Sequence, residues 1–190
     1  GSTFIINKLT NKIVAEYTAR PATAKEYYEQ VRRMLTFYNA KALYENERKG
    51  IFDYFESKQS LHLLCDEPRL IKDVTKTSGV SRRFGLKMNE QIKRYGEGLV
   101  NTWLLDMPNP KEFKMNLHNI RSIGLLKELA VYSTDPRKNF DRVMAMVCVM
   151  YQLQEEREII PDMEKSNNFI PMYKRGIFSR STQHPPLRHV

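Results

Sequence analysis

The stretch "KALYENERKG", Lys41–Gly50, places a short apolar run directly before a carboxylate. Ala42, Leu43 and Tyr44 are apolar at successive positions, which is typical of a strand covered on both faces of a sheet. Glu45 follows where such a strand would end. Ligands of open α/β sheets collect beyond the carboxyl ends of the strands, so Glu45 is a candidate for a binding group. The alternative is that Glu45 is simply the residue at which a strand meets solvent.

The segments around this stretch predict strands that alternate with helices. Apolar runs bounded by turn residues indicate strands, and apolar residues at steps of three and four indicate helices. The predicted elements are a hairpin of residues 4–6 and 13–15 with its turn at Thr10-Asn11, a helix over Thr23–Tyr38, the strand "KALYEN", a helix over Arg48–Ser57, and an interior strand "LHLLC" over Leu61–Cys65. This order predicts an α/β sheet with a parallel portion attached to the hairpin.

The second half of the chain predicts helices and a tail. Its predicted elements are a long polar loop over Asp66–Phe84, a helix over Asn89–Leu105, a helix over Leu117–Leu129 that runs into an extended Leu129–Ser133, and a helix with Asn139 as its N-cap. Every residue from Val143 to Tyr151 is apolar, so the last helix is expected to be buried nearly all round. Four prolines and a basic end follow Glu158. We therefore predict a domain over residues 1–158 and an irregular basic tail over 159–190.

The net charge of +9 favours a polyanionic partner, with nucleic acid first and an anionic membrane surface second. Part of this charge is concentrated in Ser81–Gly96, which holds five basic residues and one acidic residue. The basic residues are candidate DNA-binding residues: Arg82, Arg83, Lys87, Lys93 and Arg94. The alternative is a solvated basic surface without a partner.

Composition predicts a soluble globular protein. Hydrophobic residues make up 41% of the 190 residues. No apolar run approaches the roughly 18 residues of a membrane span, and the start of the chain has no signal-peptide pattern. Cys65 and Cys148 lack a CxxC partner and are expected to be buried, reduced thiols. The four histidines do not cluster at the spacing of a zinc site.

Asp141 is a second candidate carboxylate, because it lies in the first turn of the buried helix. If the N-terminus of that helix faces the strand ends, Asp141 comes close to Glu45. Two neighbouring carboxylates repel unless a proton or a divalent cation intervenes, and Mg2+ and Mn2+ prefer oxygen ligands. The alternative is that Asp141 only interacts with the dipole of its own helix.

Several segments in this order resemble one protein family. They are "YEN" followed by a short helix with Gly50, "FGLKMNEQIKRYGEGLVNTWL", "NLHNIRSIGLLKELAVYS", and "NFDRVMAMVCVM" with an acidic residue at a helix start. From about Ser2 to Tyr151, the chain resembles the nuclease domain of the tailed-phage terminase large subunit, which packages viral DNA and cuts it into genome lengths.

The resemblance implies a ribonuclease-H-like mixed sheet flanked by helices, with the irregular tail after it. It also implies that Glu45 and Asp141 are metal ligands of a two-metal Mg2+ or Mn2+ site that hydrolyses phosphodiesters in double-stranded DNA. Lys87 would lie nearest the scissile phosphate. The implied partners are an ATPase motor domain, the portal and the small terminase subunit, in the cytoplasm of an infected bacterial host.

The chain departs from the family at one ligand. The family carries a third carboxylate in a Gly-x-Asp motif on the first strand, and this sequence, which begins inside the second strand of the family's sheet, does not contain it. A GxxxxGK[ST] phosphate loop is also absent from the sequence. Glu16 and Asp53 are two further carboxylates that could face the site. We therefore expect this chain to cut DNA weakly or not at all.

Two other functions remain open from the sequence. One is a non-catalytic nucleic-acid-binding module, or another ribonuclease-H-like protein such as a recombinase or a resolvase. The other is a virion structural or scaffold protein with a basic surface. Metal-dependent cutting of DNA distinguishes the nuclease from the non-catalytic alternatives.

Overall fold

The computed structural model describes residues 1–47, 50–71, 84–133 and 138–166, with side chains described up to Arg157 except that of Pro110. Residues Gly1–Glu156 form one compact unit. The second unit, Arg157–Val190, is described only as far as Ser166, where it is helical. Arg82 and Arg83 lie outside the described residues, as does most of the predicted Asp66–Phe84 loop.

The described residues form a mixed α/β structure with two regular strands and five α-helices. The strands are β1 (Ser2–Asn7) and β2 (Lys12–Thr18). The helices are α1 (Ala24–Tyr38), α2 (Gly50–Ser57), α3 (Glu90–Leu105), α4 (Ile123–Ala130) and α5 (Asp141–Ser166). Three short 3-10 helices cover Leu61–Leu63, Pro110–Glu112 and Asn116–Asn119.

The predicted hairpin is confirmed. β1 and β2 pair antiparallel, and the register shifts by one residue between Ile5 and Ile6 of β1. Asn11 takes a positive φ of 54° in the turn, a conformation that asparagine adopts more readily than most residues. The β1–β2 pair is the only regular sheet within the described residues.

Helix α1 is confirmed together with its predicted N-terminal signal. Thr23 is the N-cap, and its hydroxyl oxygen accepts a hydrogen bond from the Glu26 amide at 3.3 Å. The helix ends at Asn39, whose φ of 49° turns the chain and whose amide donates to the carbonyl groups of Leu35 and Thr36. This turn leads directly into the "KALYEN" segment.

The prediction that "KALYEN" and "LHLLC" are regular strands is wrong. Their pairing is limited to isolated parallel bridges, Ala42 with Leu64 and Glu45 with Leu86. Leu61–Leu63 is a 3-10 helix, because the amide of Leu63 donates to the Ser60 carbonyl at 3.0 Å within the local turn. That local bonding leaves only the end of "LHLLC" extended beside "KALYEN".

Helices pack on both sides of the extended segments. One core cluster joins Ile5 and Tyr44 to residues of α1 and α2, and the other joins Phe4 to residues of α3, α4 and α5. Phe4 and Ile5 are adjacent in β1, and successive side chains of a strand point to opposite faces. The extended layer therefore lies between two helical layers, which agrees with the predicted α/β class in its coarse form.

The start of α5 differs from the prediction. The helix begins at Asp141, so Asn139 is not its N-cap. The carboxylate of Glu128, on α4, instead accepts hydrogen bonds from the amides of Arg142 at 2.9 Å and Val143 at 3.4 Å. A side chain from another helix thus satisfies donors that the first turn leaves free.

Two further boundaries differ from the prediction. The helix predicted over Leu117–Leu129 is divided into a 3-10 turn and α4, with Ser122 as the N-cap of α4, and the residues predicted to be extended are helical as far as Ala130. Residues 159–166 continue α5, so the irregular tail does not begin at 159. Residues 167–190 lie outside the described ranges.

Gly96 allows α3 and α5 to approach closely. A Cβ at this buried position would meet Cγ1 of Val147 and lie 2.9 Å from Cε2 of Tyr151. Tyr151 is fully buried there, and its hydroxyl donates to the Ile92 carbonyl at 2.8 Å. A Cβ at Gly98, on the same helix, would have nothing within 4 Å.

We expect Gly96→Ala to lower the free energy of unfolding by about 1–3 kcal/mol, because the added methyl overpacks the α3–α5 interface. Gly98→Ala is the matched control and should raise it by up to about 1 kcal/mol, since alanine favours an exposed helix over glycine. Urea denaturation of both variants measures the difference. Equal effects of the two substitutions would contradict the close approach at Gly96.

A candidate carboxylate site in the large cavity

A cavity of about 940 Å³ lies between the extended segments and two helices. β1 and residues 39–45 form two of its walls, and side chains of α1 and α5 line it as well. Most of the lining is apolar, but it includes four carboxylates: Glu45, Glu47, Asp141 and Glu156, the last of which pairs with Lys8 at 2.6 Å. The two candidate ligands that the sequence predicts therefore border the same cavity.

The backbone on either side of Glu45 is held by the segment around Leu86. The Leu86 amide donates to the Tyr44 carbonyl at 2.7 Å, and the Asn46 amide donates to the Leu86 carbonyl at 2.8 Å. Gly85 makes this approach possible, because a Cβ there would lie 2.8 Å from the Tyr44 carbonyl oxygen. The Asn46 side-chain amide donates a hydrogen bond to the Phe84 carbonyl at 2.8 Å, which anchors the end of the segment that carries Glu45.

Asp141 is placed by the N-terminus of α5. It is the first residue of the helix and is half-buried, and its carboxylate lies 3.4 Å from the N-terminal ammonium group of Gly1. A carboxylate at this position is favoured by the partial positive charge of the helix N-terminus. The next residue, Arg142, pairs with Glu16 at 2.7 Å and Glu128 at 2.8 Å, which fixes the first turn of α5 against β2 and α4.

The surroundings of Glu45 disfavour its negative charge. Its side chain is exposed at the cavity mouth, yet the walls desolvate it, and this desolvation is the main cause of its raised pKa. The charge of Glu47, a hydrogen bond with Glu47 and the charge of Asp141 raise the pKa further, while Lys93 lowers it. Glu45 and Asp141 therefore lie close enough to repel each other, and a cation between them would relieve that repulsion.

The candidate basic residues differ in their position. Lys93 is half-buried on α3, and its charge lowers the pKa of Glu45, against the larger effect of desolvation. Lys87 and Arg94 are exposed, and Lys87 directly follows the residue that bridges to Glu45. Of these three residues, Lys93 acts on Glu45 electrostatically, whereas Lys87 and Arg94 are exposed on the surface.

Sequence reasoning missed Glu47. It lines the cavity, and after desolvation its charge is the largest cause of the raised pKa of Glu45. The available signal was the spacing of two, which puts both side chains on the same side of an extended segment.

Glu16 and Asp53, the two alternatives named from the sequence, do not line the cavity. Burial alone would raise the pKa of Glu16, but hydrogen bonds from Ser122, Arg142 and Thr18 hold it below its usual value. Asp53 is exposed on α2, and its charge contributes to the raised pKa of Tyr44. Neither residue is placed to complete a site with Glu45 and Asp141.

The two cysteines are free and buried, as predicted. Burial raises the pKa of Cys65 to about 11 and that of Cys148 to about 12, so both remain protonated thiols at neutral pH. Over the ranges that the structure describes, no group of three or more histidine, cysteine, aspartate or glutamate side chains is arranged to hold a metal ion. The candidate site therefore consists of two carboxylates, with Glu47 beside one of them.

Comparison with family models, curated proteins and solved structures finds no match to this chain. Among the described residues, the helices are all too short or too polar to cross a membrane.

We expect Glu45→Gln to raise the melting temperature at pH 7. The folded-state pKa of Glu45 lies above the ordinary glutamate value of 4.5, so ionisation costs stability as the pH rises through 4.5 and the folded-state pKa. Below both values the carboxyl is protonated in the folded and unfolded states, and the difference should disappear. Thermal denaturation between about pH 3 and pH 8 measures this.

Glu56→Gln is the control, because Glu56 is exposed on α2 and does not line the cavity. It should leave the melting temperature nearly unchanged over the same pH range. If Glu45→Gln lowers the melting temperature at pH 7, the unfavourable ionisation of Glu45 in the folded state is not the dominant effect at this position.

Proposed function

We propose that this chain is the metal-dependent endonuclease domain of a DNA-packaging terminase, with a ribonuclease-H-like fold, and that it cuts concatemeric double-stranded DNA in the cytoplasm of an infected bacterial host. The observation that carries the proposal is that Glu45 and Asp141 border one cavity and repel each other electrostatically. They come from distant parts of the chain, the end of an extended segment and the start of a buried helix.

The donor set fits a hard divalent cation. Glu45 and Asp141 offer carboxylate oxygens, which are the ligands that Mg2+ and Mn2+ prefer. In two-metal hydrolysis, such ions activate the attacking water and stabilise the leaving oxygen. Because no third ligand is grouped with these two in the described part of the chain, we assign them one loosely held ion. Weak cutting by this chain follows from that assignment.

The basic residues of α3 and the segment before it provide the DNA path in this proposal. Lys93 lies near the carboxylates, and Lys87 and Arg94 are exposed beside it in sequence. Lysine and arginine side chains on such a surface contact phosphates without reading the base sequence. Arg82 and Arg83 would extend the same path, and the ATPase motor domain, the portal and the small terminase subunit would be its protein partners.

The architecture supports the fold assignment in part. An antiparallel hairpin, parallel bridges at Ala42 and Glu45, and helices on both sides of the extended layer are compatible with a ribonuclease-H-like arrangement. The second candidate is a non-catalytic DNA-binding module, or a ribonuclease-H-like recombinase or resolvase. The observation on the side of the non-catalytic module is that no third ligand is grouped with Glu45 and Asp141 in the described ranges.

Metal binding tests the proposal directly. We expect Mn2+, and more weakly Mg2+, to raise the melting temperature of the unsubstituted chain, because a ligand that binds only the folded state stabilises it. Glu45→Gln and Asp141→Asn should abolish this shift, while Glu56→Gln should retain it. A shift of the same size in all four proteins would show that the ion binds elsewhere.

Nicking of supercoiled plasmid in Mn2+ measures the activity of the same four proteins. We expect slow cutting by the unsubstituted chain and by Glu56→Gln, and none by Glu45→Gln or Asp141→Asn. Cutting that survives both site substitutions would contradict the assignment of these carboxylates. Binding of DNA without any response to metal would favour the non-catalytic module.

The DNA path predicts a change in salt dependence. Replacing Lys87, Lys93 and Arg94 together by alanine should weaken binding to duplex DNA of any sequence, and the slope of log K against log salt should fall by roughly 0.9 for each phosphate that the protein no longer neutralises. The control replaces three other lysines, Lys25, Lys58 and Lys127, which are exposed on α1, after α2 and on α4. An equal decrease of the slope in the control would indicate non-specific attraction by the net charge.

A further inference from the structure

Large apolar side chains that remain exposed are concentrated in one part of the described chain. Six of the eleven such residues lie between positions 105 and 131: Leu105, Met107, Phe113, Leu117, Ile123 and Val131. Single exposed apolar residues are ordinary on a protein surface, whereas a group of them in one region indicates an interaction surface. This region runs from the end of α3, through two of the 3-10 helices, to the residue after α4.

The loop that follows α3 has a fixed base. The Asn116 backbone amide donates to the Asp106 carbonyl at 2.9 Å, which closes the loop over residues 106–116. Asn116 is buried, and its side-chain amide donates to the Trp103 carbonyl, also at 2.9 Å. The loop is therefore attached to the end of α3 through one buried asparagine.

Phe113 projects from this loop. It lies next to Lys114, which forms an antiparallel bridge with Asn109, and its side chain is 83% exposed. Its φ of 50° is in the left-handed region, which a bulky residue seldom adopts. Such a conformation persists only where the surrounding structure determines it, and it is found most often at binding sites and switches. The loop thus holds an exposed phenyl ring on an unfavourable backbone conformation.

A second cavity, of about 520 Å³, lies at the base of this loop. Leu104 and Leu117, just outside the two ends of the loop, line it together with aliphatic side chains of α3 and α4. Its wall also holds Glu97, whose carboxylate accepts a hydrogen bond from the Tyr132 hydroxyl. Phe113 does not line this cavity. The same region therefore carries an apolar projection, the Phe113 ring, and an apolar recess beside it.

The charge of this region differs from that of the whole chain. Residues 97–131 contain four acidic and four basic residues, so their net charge is zero, whereas the 190-residue chain carries +9. A polyanion is attracted to the basic remainder of the surface rather than to a neutral apolar region. Two copies of the chain, in contrast, repel each other least where the local charge is zero. The charge distribution therefore favours contact between copies here over contact with nucleic acid.

We propose that residues 97–131 form a self-association surface, at which Phe113 of one copy enters the second cavity of another copy. The base of the loop sets one spacing between projection and recess, so a two-fold arrangement places both rings in both cavities at once. A second copy presents both features at that same spacing. Burial of each ring offsets the cost of its backbone conformation.

This association goes beyond the proposed nuclease activity and does not rest on it. Glu45 and Asp141 line the large cavity, and in the described part of the chain no residue lines both cavities. Loss of metal binding would therefore leave the dimer unaffected, and loss of the dimer would leave the carboxylate assignment standing.

Sedimentation velocity over a series from micromolar to millimolar concentration tests self-association of the chain. We expect a dimer, and we expect Phe113→Asn to raise its dissociation constant by about tenfold or more, because the ring at each contact is removed. Asparagine adopts a positive φ more readily than phenylalanine, so the loop should keep its conformation. Phe37→Asn is the matched control: Phe37 is 82% exposed on α1, and its substitution should leave the dissociation constant unchanged.

Ala130→Glu tests the recess. Ala130 is exposed at the end of α4 and lines the second cavity, so a carboxylate there should weaken the dimer by a similar factor, because the entering ring would desolvate it. A mixture of Phe113→Asn and Ala130→Glu chains should associate more strongly than either variant alone, since one intact ring then meets one intact cavity. A mixture that associates no better than the separate variants would overturn the proposal.

The salt dependence distinguishes this contact from charge-driven association. Raising the salt concentration from about 0.05 M to about 0.5 M should strengthen the dimer, because salt screens the repulsion between two chains of charge +9. Association through a polyanion would weaken instead, which would count against the proposal. A chain that stays monomeric at millimolar concentration, an equal loss in Phe37→Asn, or a dimer that persists in both Phe113→Asn and Ala130→Glu would each overturn it.

Discussion

The single-sided hydrogen bonding of residues 42–46 is the constraint on which the site depends. Ala42, Tyr44 and Asn46 use one edge of the segment, toward residues 63–65 and 86. The backbones of Tyr44 and Asn46, on either side of Glu45, are therefore hydrogen-bonded to Leu86, whereas the backbone of Glu45 faces the cavity. Gly85 is essential to this arrangement, because its positive φ of 73° and lack of a side chain let the backbone approach Tyr44.

The position of Asp141 depends on an electrostatic network at the other border of the cavity. Glu128 accepts hydrogen bonds from the first amides of α5, and Arg142 links Glu128 to Glu16 of β2. These interactions join the hairpin, α4 and α5 at one point. Asp141 is then held at the cavity while the neighbouring Arg142 points away from it into the network. The successive side chains of Asp141 and Arg142 thus face different surroundings, the cavity and the ion-pair network.

The cavity has carboxylates at its mouth and a mostly apolar interior. Charge is concentrated where Glu45, Glu47 and Asp141 meet solvent, and there a cation would lower the repulsion. Between β1 and residues 41–45, most of the lining is apolar.

The sequence by itself determined the local elements and two of the candidate ligands. The hairpin, α1 with its Thr23 cap, α3, and the two buried thiols follow from patterns that lie within a few residues of each other. Only the tertiary structure decided where the backbone of "KALYEN" forms its hydrogen bonds, and that Glu128 rather than Asn139 accepts from the first amides of α5. It also decided that α3 and α5 pack closely at Gly96. It also decided that Glu47 and Lys93 accompany Glu45. These features arise between residues far apart in the chain, where burial, charge and backbone pairing depend on the folded neighbours and leave no periodic pattern in the sequence.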